Sequence, residues 1–230
     1  MKNTEPVIQL EGLRLTLASE AGKVNVLRGI DLRVTAGERV ALTGPSGSGK
    51  TTLMMVIGGL ERPSAGRVAV AGRDLGRLGE DQLAALRRAE IGIVFQSFHL
   101  LPAMTALENV ALPLELAGRA DAFDRAAFEL KAVGLGSRLA HYPAQLSGGE
   151  QQRVAIARAF APEPRLILAD EPTGNLDGET GAKVIDLLFG LARRRGATLL
   201  LITHDTALAR RCGRVLALAD GRIVSDRKRR

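Results

Sequence analysis

The chain is poor in cysteine and in aromatic side chains. A single cysteine, Cys212, stands among 230 residues, so no internal disulfide can form and a disulfide-stapled extracellular fold is excluded. There is no tryptophan, one tyrosine and six phenylalanines, and the first aromatic is Phe95. Single-strand nucleic-acid binders stack bases on several aromatic platforms, and this sequence offers few. No apolar run approaches the roughly 20 residues that a bilayer-crossing helix needs. The opening Met1-Lys2-Asn3-Thr4-Glu5-Pro6 carries charge with no apolar segment behind it, which is not the pattern of a secretory signal. Internal repeats and low-complexity linkers are missing too. These absences point to a cytoplasmic globular protein.

What is present fits one domain with a lobe inserted in it. Hydrophobic residues make up 46% and charged residues 25%, the balance of a soluble core-forming chain. Thirty-two basic against 25 acidic residues give a net charge of +7. Much of the excess falls late, in Arg193-Arg194-Arg195, Arg210-Arg211, Arg214 and Arg227-Lys228-Arg229-Arg230. Such an excess suits anionic lipid, nucleic acid or nucleotide, and equally a solvated face and a frayed tail.

Apolar spacing separates the chain into textures. Residues 7–42 read as short strands: Ile8, Leu10, Leu13, Leu15 and Leu17 mostly alternate, and Ile30, Leu32 and Val34 alternate against Asp31 and Arg33. Arg39-Val40-Ala41-Leu42 runs as a short strand into a glycine-rich turn, and a helix follows over 50–58. A strand over 66–70, a helix over 81–88 and a buried strand over 91–95 come next. Residues 97–162 read as helical, with breaks at Pro102, Pro113, Gly118, Gly134-Leu135-Gly136 and Pro143. Strands over 166–169, 198–203 and 215–218 alternate with an amphipathic helix over 179–194, in which Val184, Leu187, Leu188 and Leu191 share one side. Strands alternating with helices predict a largely parallel α/β sheet.

The strongest chemical signal is Gly44-Pro45-Ser46-Gly47-Ser48-Gly49-Lys50-Thr51, which fits G-x-x-x-x-G-K-[ST]. The glycines let successive N–H groups converge on phosphate oxygens, and the helix that starts there adds its positive end. Lys50 can reach the β- and γ-phosphates and Thr51 can place its hydroxyl on Mg²⁺. The loop needs a carboxylate to hold the metal. Leu166-Ile167-Leu168-Ala169-Asp170-Glu171 supplies Asp170 at the carboxyl end of a buried strand, where ligands of open α/β sheets sit. Glu171 leaves the strand and points elsewhere, and as a general base it can polarise the attacking water. Two acids before Pro172 could otherwise be turn caps; behind a phosphate loop the metal-and-base assignment is the stronger.

Leu146-Ser147-Gly148-Gly149-Glu150-Gln151-Gln152-Arg153 resembles the signature motif of ABC-type ATPases. Ser147 can cap a helix running to about Phe160, and Gly148 and Gly149 bare its first N–H groups. The resemblance spans essentially all residues and implies a P-loop NTPase (RecA-like) core with an N-terminal antiparallel β subdomain and an inserted helical subdomain. The core is expected over 1–95 and 163–230, and the helical subdomain over 96–162. The resemblance also implies ATP and Mg²⁺ as ligands, and ATP contacts from the loop residues, Thr52 among them. Ser147, Gly148, Gly149 and Glu150 then face the ATP held by a second copy of the chain. Gln96 resembles the glutamine that touches Mg²⁺ and the attacking water, so Thr51, Gln96 and Asp170 are the implied metal contacts. Asn175-Leu176-Asp177 resembles the D-loop, with Asp177 crossing the dimer interface. His204, in Thr203-His204-Asp205, resembles the switch histidine at the γ-phosphate, whereas His99 and His141 read as structural.

One position departs from the pattern. The family usually stacks adenine on an aromatic of the first strands; that place falls at Leu17, leaving adenine on aliphatic side chains such as Leu17 and Val26. The stretch Gln96-Ser97-Phe98-His99-Leu100-Leu101-Pro102, with Ala169-Asp170-Glu171-Pro172-Thr173-Gly174-Asn175-Leu176-Asp177, narrows the resemblance to ATPases serving MacB-, LolCDE- and FtsX-type membrane permeases. The non-aromatic adenine position paired with Leu208-Ala209-Arg210-Arg211-Cys212 resembles the YbbA-like branch. The implied work is export, lipoprotein release or mechanotransmission, with the segment from Phe98 to Leu116 gripping a short cytoplasmic helix of the permease. The chain would then sit on the cytoplasmic face of the inner membrane, with no nucleic-acid partner. The alternative is a soluble ABC ATPase acting on nucleic acid or ribosomes. Such relatives usually carry a coiled-coil insert, zinc cysteines or two cassettes, and this chain has none of these. An ATP-sensing module with little turnover is disfavoured by the presence of both Glu171 and His204.

Overall fold

The computed structural model describes residues 6–19 and 22–228. Met1–Glu5, where the absent signal was read, and the basic Arg229 and Arg230 lie outside them. Two compact units divide the chain: Met1–Arg87 with Gly196–Arg230, and Arg88–Arg195.

The first unit opens with two 14-residue antiparallel strands, Pro6–Ser19 and Gly22–Thr35, rather than the short strands that the spacing suggested. The alternation slips between Leu10 and Leu13 because the ladder shifts register there. Gly12, at φ +56, takes the extra step, and its N–H donates to Asp31 Oδ1 at 2.7 Å. Such a bulge lets both apolar sets, Ile8/Leu10 and Leu13/Leu15, face the core. Ala65–Val70 and Arg73–Asp74 complete this antiparallel sheet. The same unit carries a second set of strands. Arg39–Thr43 pairs in parallel with Thr198–Ile202 on one side and Arg214–Ala219 on the other. Thr198–Ile202 is buried along its whole length, as a strand inside a parallel sheet must be.

The basic stretch at 227–228 is not frayed. It belongs to a strand, Arg222–Lys228, antiparallel to Arg214–Ala219. Asp220 and Gly221 form the hairpin turn at φ +51 and +71, the two left-handed positions that an Asp-Gly turn satisfies. Arg214 pins the strand, with Asp226 at 2.6 Å and 2.7 Å and Glu38 at 3.2 Å.

In the second unit, Ile91–Val94 runs parallel to Leu166–Asp170. Its helices are Ala106–Glu115, Ala122–Ala132, Gly148–Phe160 and Gly178–Arg194. Pro113 lies inside the first of these rather than ending it. It falls in the last turn, so it removes only one helical bond before the helix closes with Leu116 N–H on Leu112 O at 3.0 Å. Gly178–Arg194 buries Val184, Leu188 and Leu191 as expected, while Leu187 is only half-buried. The charge excess at 193–195 is partly internal: Arg195 grips the fully buried Glu129 through 2.6 and 2.8 Å bonds. Its other nitrogen donates to Phe160 O at 3.0 Å, tying down the end of helix Gly148–Phe160.

Candidate nucleotide site

The first unit shapes the glycine loop from three directions. Gly44, Gly47 and Gly49 all take positive φ, at +150, +76 and +99, which L side chains rarely adopt. A Cβ on Gly44 would lie 2.1 Å from Leu218 O. One on Gly49 would meet Leu27 Cδ2 at 3.1 Å and Val26 O at 3.2 Å. Val26 is itself a bulge: Leu15 pairs with Leu27 and Thr16 with Asn25, leaving Val26 as the extra residue. The Asp220-Gly221 turn closes the third side. Gly221 N–H donates to Ser48 O at 3.2 Å, and Gly221 O accepts from Arg28 N–H at 2.9 Å. Pro45 and Ser46 are exposed.

Lys50 begins helix Lys50–Ile57, whose N-cap is Gly49 with no side-chain cap. Glycine at the N-cap brings no side chain to this helix start, and the N-terminal end of a helix suits an anion. Lys50 Nζ lies at the mouth of the loop, on Gly44 O at 2.9 Å and Pro45 O at 2.8 Å. The Ser48 hydroxyl is buried without a hydrogen-bond partner. A cradle that excludes Cβ atoms, an uncapped helix start, a lysine and an orphaned hydroxyl together match a polyphosphate.

Leu17 and Val24 face one another across the hairpin, 39% and 51% exposed, an apolar pair open to a ligand. His204 is exposed just beyond the buried strand Thr198–Ile202. Its neighbours hold it in place. Thr203 N–H donates to Leu42 O at 3.2 Å, Asp205 N–H donates to Thr203 Oγ1 at 3.0 Å, and Asp205 caps helix Thr206–Ala209.

The second unit groups the remaining motifs. Asp170 ends strand Leu166–Asp170, and Glu171 follows at φ +43, a left-handed position costly for a residue other than glycine. Gly174 N–H closes the turn on Glu171 O at 3.0 Å. Gln96 and Asn175 are joined by two hydrogen bonds. Asp177 caps helix Gly178–Arg194 by accepting from Thr180 N–H at 2.9 Å. That backbone bond holds its carboxyl below the usual carboxylate range.

The signature helix starts as the Ser-Gly-Gly pattern implied. Ser147 Oγ accepts from Glu150 N–H at 3.3 Å, and Glu150 accepts from Ser147 N–H at 2.9 Å, a reciprocal cap. The Ser147 N–H, then its hydroxyl and Arg138, hold the Glu150 carboxyl below its ordinary range. Gly149 has a second purpose, since a Cβ there would strike Thr180 Cγ2 at 2.4 Å. Two features escaped the sequence reading. Arg158 donates to His99 O at 2.6 Å and Phe98 O at 2.8 Å, and both of those residues have positive φ; burial pushes its guanidinium pKa down. Gln152 donates to Pro172 O at 2.7 Å. His99 and His141 make packing contacts, to the Phe95 ring and to Arg138.

The ABC transporter family profile matches residues 27–174. This chain belongs to that family. Among its relatives is the lipoprotein-releasing system ATP-binding protein LolD 2 of Caulobacter vibrioides, 51% identical over 97% of this chain and 99% of that one. The uncharacterised ABC transporter ATP-binding protein YbbA of Escherichia coli K12 is 48% identical over 96% and 98%. The macrolide export ATP-binding/permease protein MacB 1 of Aeromonas hydrophila is 50% identical over 98% of this chain but only 35% of its own length. In structure, the chain resembles the dimeric ATP-binding cassette MJ0796 in a post-hydrolysis state bound to ADP and Pi. That likeness has a TM-score of 0.90 and 41% identity, covering 97% of this chain and 99% of the other. As an ABC cassette, this chain has the α/β P-loop core and antiparallel β sheet that its motifs implied. Among the described residues no helix is long and apolar enough to cross a membrane.

Proposed function

We propose that this cassette is the ATP-hydrolysing subunit of a membrane transporter of the LolD/MacB kind. The observation that carries the reading is the glycine loop, held open by Leu218, Val26 and Gly221 around an uncapped helix start. Lys50 and the loop N–H groups bind the phosphates, and Leu17 and Val26 support adenine. Thr51, Asp170 and Gln96 would hold Mg²⁺, which when bound would neutralise charge on the phosphate oxygens. Among the described residues no three His, Cys, Asp or Glu side chains gather as a metal cluster. A divalent ion here would thus draw most of its ligands from phosphate and water.

Glu171 accepts a proton from water as its oxygen attacks the γ-phosphorus. The bond to the β-phosphate oxygen breaks, and ADP and phosphate leave. Such a base contributes about 10²–10⁴ in rate. His204 donates to the γ-phosphate. Ser147, Gly148, Gly149 and Glu150 close over the ATP of a second copy, and Asp177 lies at that junction, so two ATP molecules sit in two composite sites. Opening after hydrolysis drives a MacB/FtsX-type permease through the helical subdomain, 96–162. There Leu101 and Leu116 are 41% and 62% exposed, whereas Val110, Ala111 and Leu114 fill the core. The working place is the cytoplasmic face of the inner membrane.

Glu171→Gln with saturating Mg·ATP tests the reading by light scattering after size exclusion. The expected species is a stable dimer with hydrolysis lowered at least a hundredfold. A monomer under those conditions overturns the composite site.

A further inference from the structure

We propose that Gln152 is a positioning residue for hydrolysis, anchoring from the signature helix the turn that carries Glu171. The inference rests on the reading of Glu171 as the general base. Gln152 is the fifth residue of helix Gly148–Phe160 and is 0% exposed. Its Nε2 donates to Pro172 O at 2.7 Å and, more weakly, to Phe95 O at 3.4 Å. One amide thus touches the backbone one residue after Glu171 and one residue before Gln96.

Two observations argue against mere filling of space. First, Gln152 Oε1 is buried without a partner. An orphaned buried acceptor is costly, and a methionine of similar length would avoid it, so the side chain is present for its donor. Secondly, Glu171 is held in the left-handed region, where a residue other than glycine persists only if its surroundings over-determine it. Gly174 N–H to Glu171 O and Leu176 N–H to Thr173 O tie the turn from within, and the Gln96–Asn175 pair holds its far end. Gln152 adds a buried bond at Pro172, the residue next to Glu171. Without it the turn can relax toward ordinary backbone angles and move the carboxylate. A base works only within hydrogen-bond reach of its proton, and a displacement of about 1 Å can cost about a hundredfold in rate. Nucleotide affinity, set by the Lys50 loop, should not change.

The test compares Gln152→Met, Gln152→Asn and Glu171→Gln in the full chain, by steady-state ATPase kinetics and thermal unfolding. Met keeps the length without the donor; Asn keeps the amide but is one methylene too short. Both are expected to lower kcat ten- to a hundredfold with the KM for ATP within twofold and the unfolding temperature within a few degrees. Wild-type kcat in either variant overturns the proposal. So does a fall in kcat matched by a raised KM and a collapse in thermal stability, or failure of both variants to fold, since the residue would then be structural. If Glu171→Gln hydrolyses at the wild-type rate, the general-base reading itself fails. If it is inactive while Gln152→Met is fully active, only the role of Gln152 fails.

Discussion

Gln96 Nε2 donates to Asn175 Oδ1, and Asn175 Nδ2 returns a bond to Gln96 O, both at 3.1 Å. Gly174 makes room for this pair, because a Cβ on it would come within 2.6 Å of Gln96 Nε2. The amide proposed to meet Mg²⁺ is therefore engaged by the residue that opens the D-loop. The pair uses Gln96 Nε2 and leaves Oε1, the atom able to meet a cation, outside it; a swing of the side chain toward nucleotide that breaks the Nε2 bond costs about 0.5–1.5 kcal/mol net.

Asn175→Ala removes this competitor. Mg·ATP should bind about two- to tenfold more tightly, as read by isothermal titration, with thermal stability lowered by less than about 1 kcal/mol because both residues are exposed at the surface. Weaker binding would mean instead that Asn175 holds Gln96 ready for the ligand.

Leu17→Tyr restores an aromatic at the open end of the first hairpin. Stacking on adenine adds about 1 kcal/mol, so ATP should bind about fivefold more tightly. The site for the ring exists, since Leu17 and its partner Val24 are both well exposed and Val26 bulges against Gly49. A fall in affinity would place adenine elsewhere.

Glu150→Gln isolates the charge in the signature cap, since glutamine can still accept the Ser147 N–H. The folded pKa of Glu150 lies below its ordinary value of 4.5. Its ionised form therefore stabilises the native state, fully so above that value, and the benefit fades as pH falls through the folded pKa. Wild type should exceed the variant by about 0.5–1 kcal/mol at pH 7, a shift of roughly 1–4 °C in Tm, and the gap should close as pH falls through the lowered pKa of Glu150. An equal gap above and below that pKa would assign the difference to packing.

Much of this was legible from residue order. Glycine, lysine and threonine at loop spacing, a carboxylate ending an apolar run, and Ser-Gly-Gly before a 3.6-period segment each specify local geometry through local chemistry. The helix over 50–58 and the strands over 91–95 and 166–169 are found within a residue or so of those limits. What escaped depends on distant partners. Nothing near Gln152 or Arg158 announces that their donors end on the carbonyls of Pro172 and Phe98. The Leu10–Leu13 slip hid two long strands because a bulge keeps the face while breaking the count. Arg222–Lys228 was concealed by its charge, although Asp220-Gly221 after Val215–Leu218 is a hairpin signal in its own right.

The contacts around Ser48 and Gly49 bear on the order of events during synthesis. The ribosome makes the glycine loop early, yet the residue whose amide pins Ser48 from the far side, Gly221, is made late. A nascent chain holds the glycine loop and Lys50 long before it holds the residue that pins Ser48. The backbone tie at Ser48 thus joins two segments far apart in the order of synthesis, and the loop acquires it only after Gly221 has been made.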